Sequence, residues 1–96
     1  MAKLRYSSRA TRDLERLARF LYKNNPEDAA KTIPLIISAV DALTFHPRIG
    51  RPYAQAVREL VISHGKTGYI ALYRYDEIRD VARVLAIRHQ RELGNL

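Results

Sequence analysis

Three histidines, one glutamate and a set of arginines are the residues of this chain whose chemistry could go beyond packing. Metal-free cleavage of RNA needs a base for the 2′-hydroxyl proton, an acid for the leaving oxygen and a cation on the phosphate in flight. His89 or His64 could move the protons, Glu59 could act as a second base, and Arg74, Arg83 or Arg88 could carry the charge. Arginine forks also grip phosphate in pairs of hydrogen bonds without any catalysis, so the same residues suit a plain anion-contact surface. A third reading is a solvated sheet face whose arginines discourage edge pairing, with histidines that only pack or sit in water. Residue type alone leaves these three open.

Other chemistries fall to simple counts. With no Cys, a disulfide framework, a thiolate metal cage and a cysteine nucleophile are all excluded. The four glycines, at 50, 65, 68 and 94, form no phosphate-cradling loop. His46, His64 and His89 lack metal-ligand spacing, and no serine elbow is present. Neither a metal nor a cofactor is expected.

The elements that must position these residues follow from periodicity. Lys3 to Ser7 alternate, which suits a strand with Leu4 and Tyr6 facing inward. From Ser8 the apolar residues Ala10, Leu14, Leu17, Ala18 and Leu21 recur at three and four, predicting an amphipathic helix capped by Ser7 or Ser8. On its other side Arg9, Arg12, Arg16, Arg19 and Lys23 fall within an arc of about 80°. Asn25 and Pro26, followed by Glu27 and Asp28, start a second helix through Ala29, Ile33, Ile36 or Ile37, Val40 and Leu43. It ends where His46 meets Pro47, and Pro34 should bend it. The punctuation of residues 47–52 predicts a loop. Val57 to Ser63, Tyr69 to Tyr75 and Val81 to His89 then read as a three-stranded meander. The expected fold is α+β, in the order β-α-α-β-β-β, with a helical hairpin packed on a small antiparallel sheet.

Ninety-six residues, 47 % hydrophobic and 28 % charged, make one marginally sized globular domain spanning 1–96. No apolar run approaches the ~20 residues of a membrane span, and no cleavable leader pattern precedes the first strand, so a cytoplasmic location is expected. Seventeen basic against ten acidic groups give +7, spread evenly along the chain, which favours a nucleic acid or an acidic protein as partner.

Three stretches carry a family resemblance. Arg58-Glu59-Leu60-Val61-Ile62, then Gly65 through Tyr75 with its Tyr69-Ile70-Ala71-Leu72-Tyr73-Arg74-Tyr75 core, then Val84-Leu85-Ala86-Ile87-Arg88-His89-Gln90-Arg91-Glu92, resemble the RelE/ParE toxins of type II toxin-antitoxin (plasmid stabilisation) systems. Ala10-x-x-Asp13-Leu14 and His46-Pro47-Arg48-Ile49-Gly50-Arg51-Pro52 are similar to that family's helical hairpin boundaries. The resemblance implies a small basic toxin, held silent by a cognate acidic and partly disordered antitoxin in a hetero-oligomer. It also implies one of two targets. RelE-like members cleave mRNA on the ribosome, and there Glu59, Arg74, Arg83 and His89 would form the catalytic set. ParE-like members poison DNA gyrase without a known catalytic site. No aromatic residue follows His89, as it does in some ribonucleolytic relatives, and the long hairpin looks ParE-like. The expectation is therefore a gyrase inhibitor causing growth arrest, with the mRNA endoribonuclease as alternative and a non-toxic basic adaptor as third reading. Arg9, Arg12, Arg16, Arg19, Arg88 and Arg91 are the candidate partner-binding cations.

Overall fold

A computed structural model describes residues 1–64 and 67–90. Strand β1 (Lys3–Tyr6) leads directly into α1 (Ser8–Asn24), because Ser7 is extended and its Oγ accepts from the N–H of Ala10. Asn25 closes α1, donating its N–H to the Leu21 carbonyl, and also caps α2 (Pro26–Asp41), where its Oδ1 accepts from the N–H of Asp28. One residue thus serves both ends of the hairpin turn. Pro34 lies inside α2 without ending it. A single 3-10 turn, Ala42–Thr44, finishes the helical half.

The chain then builds β2 (Arg51–Ala54), β3 (Val57–His64), β4 (Thr67–Asp76) and β5 (Val81–His89), in one five-stranded sheet of order β1-β5-β4-β3-β2. The α+β hairpin-on-sheet architecture agrees with the sequence expectation, and two details extend it. The sheet is mixed, since β1 runs parallel to β5 while every other pair is antiparallel. The expected loop over 47–52 ends earlier, because Arg51 and Pro52 open a short, fully exposed edge strand that runs to Ala54. An edge position tolerates Pro52, which has no N–H to donate.

The core lies between the hairpin and one face of the sheet. Ala10 and Leu17 of α1, Ile36 and Val40 of α2 and Leu43 meet Ile62, Tyr69, Ala71, Tyr73, Ala82, Val84 and Ile87 of the strands. Ile36, rather than Ile37, is the buried member of its pair. No helix among the described residues is long and apolar enough to cross a membrane.

Where β1 stops, α1 takes over the edge of β5. Ser7 donates its N–H to the Val84 carbonyl (2.9 Å) and its hydroxyl to the Leu85 carbonyl (3.1 Å). Six residues later the buried carboxylate of Asp13 accepts from the N–H of Ile87 (3.0 Å).

Candidate functional site

The sheet face turned away from the helices carries a cationic row. Arg5 in β1 stands opposite Arg83 in β5, and Arg83 stands opposite Arg74 in β4. Directly opposed residues of neighbouring strands share a face. All three are exposed. With Asp76, Arg79 and Val81 they line an open depression of ≈ 450 Å³. Asp76 is occupied by Arg79 (3.0 Å), whose backbone and side-chain hydrogen bonds hold that carboxyl below its ordinary 3.8. Arg5 donates to its neighbour's carbonyl (Leu4, 3.1 Å). No carboxylate among the described residues pairs with Arg74 or Arg83.

His89 lies on the opposite side. A strict two-residue period would put it with Arg83, but the register shifts: Leu72 opposes Ala86 while Tyr73 opposes Val84. The extra residue, Leu85, is a bulge that inverts the alternation downstream. Ile87 therefore enters the core, and His89 meets the buried Tyr69 edge to face, with ring centroids 5.2 Å apart. His89 and Tyr69 border an apolar groove on the helix side, completed by Arg16, Leu17, Phe20 and Leu21. Burial raises the Tyr69 phenol, with Asp28 adding to the shift.

The four candidate catalytic residues are thus not one site. Arg74 and Arg83 share the open face, His89 sits across the sheet, and Glu59 is tied to Arg51 of the edge strand with little exposure. His64 ends β3. Among the cations proposed for partner binding, Arg9, Arg12, Arg16 and Arg19 are exposed along α1. Arg88 is largely covered and engaged by Asp13 (3.2 Å). Arg91 lies outside the described residues. Among those residues no three His, Asp or Glu side chains gather closely enough to hold a metal.

Two features escape a reading of the sequence. Arg5 joins the row only because β1 pairs with β5, a contact with no local signal. Near the β4–β5 turn, Arg48 lies 5.0 Å above the Tyr75 ring and 2.7 Å from Glu77. Tyr75 donates to Asp80 (2.6 Å), which, ahead of burial, pushes its phenol pKa up.

The geometry defines a class: a small α+β domain with helices over one sheet face, an apolar groove beside them and bare arginines on the other face. A family model, described as the ParE toxin of the type II toxin-antitoxin system parDE, matches residues 4–94. The chain belongs to this family of type II toxin-antitoxin toxins. The toxin named RelE3 of Caulobacter vibrioides is 39 % identical over 93 residues, covering 96 % of this chain and 98 % of its own. RelE1 of the same organism is 40 % identical over 68 residues, 71 % of this chain and 73 % of its own. A solved chromosomal ParDE toxin-antitoxin system from P. aeruginosa matches with a TM-score of 0.77 at 24 % identity, over 93 % of this chain and 96 % of that one.

Proposed function

We propose that this toxin acts on DNA gyrase, binding one of its subunits and stalling the enzyme on cleaved DNA, and that a cognate acidic antitoxin silences it in the cytoplasm. The observation that carries this reading is the placement of His89 across the sheet from Arg74 and Arg83. A general acid-base group must reach the proton it transfers, within hydrogen-bond distance or through one water. A histidine on the helix side and arginines on the open face do not meet one phosphodiester. A gyrase poison needs no such convergence. Purified toxin at micromolar concentration is expected to abolish plasmid supercoiling by gyrase and leave trapped linear plasmid after denaturation. Normal supercoiling with no trapped cleavage would end this reading.

The relatives' RelE names keep one other reading, a ribosome-dependent mRNA endoribonuclease. It requires His89→Ala to abolish codon-phased cuts in translated mRNA. Growth arrest that persists in His89→Ala, with transcripts intact, speaks for gyrase. A passive adaptor would leave growth unaffected.

The antitoxin's place is the apolar groove between α1 and the ends of β4 and β5. Phe20 is 62 % exposed there, and Tyr22 on the same helix 49 %. Arg9, Arg12, Arg16 and Arg19 supply positive charge along the same helix. A partly disordered acidic segment that folds onto this surface gains apolar burial and paired carboxylates together.

A further inference from the structure

We propose that the open sheet face is a binding site for the phosphate backbone of duplex DNA, held by Arg74, Arg83 and Arg5. The register sets three like charges side by side on neighbouring strands. Like charges directly opposite each other destabilise a sheet, so the row costs stability unless an anion sits on it. Asp76, the carboxylate of the depression, is engaged by Arg79, so the local excess stays positive.

The spacing suits a nucleic-acid strand. Neighbouring β-strands lie about 4.8 Å apart, so the row spans about 10 Å. One strand of duplex DNA presents a phosphate about every 3.4 Å along the helix axis, and its spiral path sets consecutive phosphates farther apart than that, so a row of this length meets consecutive phosphates of one strand. Guanidinium forks match phosphate geometry bidentately.

The lining argues for duplex backbone rather than single-stranded RNA or peptide. Single-strand binders stack bases on aromatic rings. No aromatic residue lines this depression, because Tyr69 and Tyr73 of β4 are buried on the helix side. An acidic peptide that folds on binding needs apolar area, and Val81 is the one apolar residue in the lining. The apolar groove lies across the sheet.

The DNA site stands on the sheet geometry. Only the identity of that DNA as gyrase's own substrate rests on the gyrase reading. A toxin that grips DNA with this face would act on the enzyme-DNA complex and not on the free subunit.

The test is fluorescence anisotropy of a short labelled duplex with the full-length protein, in the absence of gyrase, from about 50 to about 200 mM salt. Each phosphate neutralised contributes about 0.9 to the slope of log affinity against log salt, so Arg74→Gln/Arg83→Gln should flatten that slope by about 2. Affinity at low salt should fall about tenfold or more, and Arg5→Gln alone should flatten the slope by about 1. Lys23→Gln/Lys31→Gln removes the same charge from the exposed side of the hairpin and should leave the slope nearly unchanged. Equal losses in the two double variants would reduce the effect to net charge and overturn the site. So would tighter binding of a single-stranded RNA of equal length that the arginine variant loses. Supercoiling unaffected by a protein that still binds duplex through these arginines would remove the gyrase reading alone.

Discussion

Asp13 on α1 takes the place of a missing strand beside Ile87. Its Oδ2 accepts the Ile87 N–H at 3.0 Å while Oδ1 accepts from Arg88 at 3.2 Å. Strand β1 ends opposite Val84, so β5 would otherwise present a buried donor with no partner. A single carboxylate joins the hairpin to the sheet and neutralises a half-buried guanidinium. Asp13→Ala removes both bonds and leaves the buried Ile87 N–H without its acceptor, and should destabilise the fold by about 2 kcal/mol. Asp13→Asn keeps the acceptor and should cost about half as much. Urea midpoints compare the two, and equal small shifts would show that the bridge contributes nothing.

Gly50 is held between two rigid neighbours. Its N–H donates to the Tyr73 hydroxyl at 2.8 Å. A Cβ there would stand 2.6 Å from the Tyr73 ring and 2.8 Å from the Glu59 carbonyl. Tyr73 is fully buried and the carbonyl is backbone, so neither gives way cheaply. Gly50→Ala should cost about 1 to 3 kcal/mol through overpacking. An unchanged melting temperature would mean that the 45–50 loop shifts freely.

Thr32 is fully buried on α2, and its hydroxyl finds no partner among the described residues. Thr32→Val exchanges an unpaired polar atom for a methyl of similar size. The variant should be more stable by about 1 kcal/mol, a gain of several degrees in melting temperature for a domain of this length. A loss of stability would reveal a hydrogen bond made through water.

Stability should hold between mildly acid and mildly alkaline pH and fall on both sides. Burial raises the phenols of Tyr6, Tyr69 and Tyr73 above their ordinary 10.0, with Gly50 and Arg58 partly opposing it at Tyr73. A raised acid is favoured in its protonated form by the fold, so this contribution is complete below pH 10 and is lost as pH rises past it. At Asp76 the shift is downward from 3.8, through the Arg79 backbone bond and then its side chain. That contribution is present above pH 3.8 and disappears as pH falls through the lowered value. Urea midpoints across the range, followed with phenolate absorbance, should show buried tyrosines ionising together with unfolding. Ionisation well ahead of unfolding would contradict their burial.

Much of this fold is legible because its signals are local. Ser7, Asn25 and Pro26 mark the helix boundaries by their own chemistry, and the spacing of Ala10, Leu14 and Leu17 predicts the inner face of α1. What depends on a distant partner is not legible. Nothing in Lys3–Tyr6 says that it pairs in parallel with Val81–Val84, so Arg5 could not be joined to Arg83 in advance. The Leu85 bulge likewise arises from fitting β5 against β4, yet it decides which side His89 faces. Residues 51–54 lack alternation because both their faces are exposed. Asp13 did leave a trace: it is a polar residue three after Ala10 and four before Leu17, within the apolar stripe.

On the proposed groove, the antitoxin contact would divide into an apolar and an ionic part that can be measured separately. Phe20 is 62 % exposed beside Leu17 and Tyr69, so Phe20→Asp should leave the melting temperature nearly unchanged while it places a charge in the groove. Affinity for the antitoxin should fall at least about tenfold, the order expected when a central apolar anchor is lost from an interface. Arg12→Gln/Arg19→Gln should act differently. Exposed charges steer association and are screened by salt, so this variant should bind more slowly at low salt and match the parent at high salt. The two effects should add, because one resides in dissociation and the other in association. Antitoxin binding unaffected by Phe20→Asp would move the partner off this groove, and salt-insensitive association of the parent would leave the arginine stripe without a part in recognition.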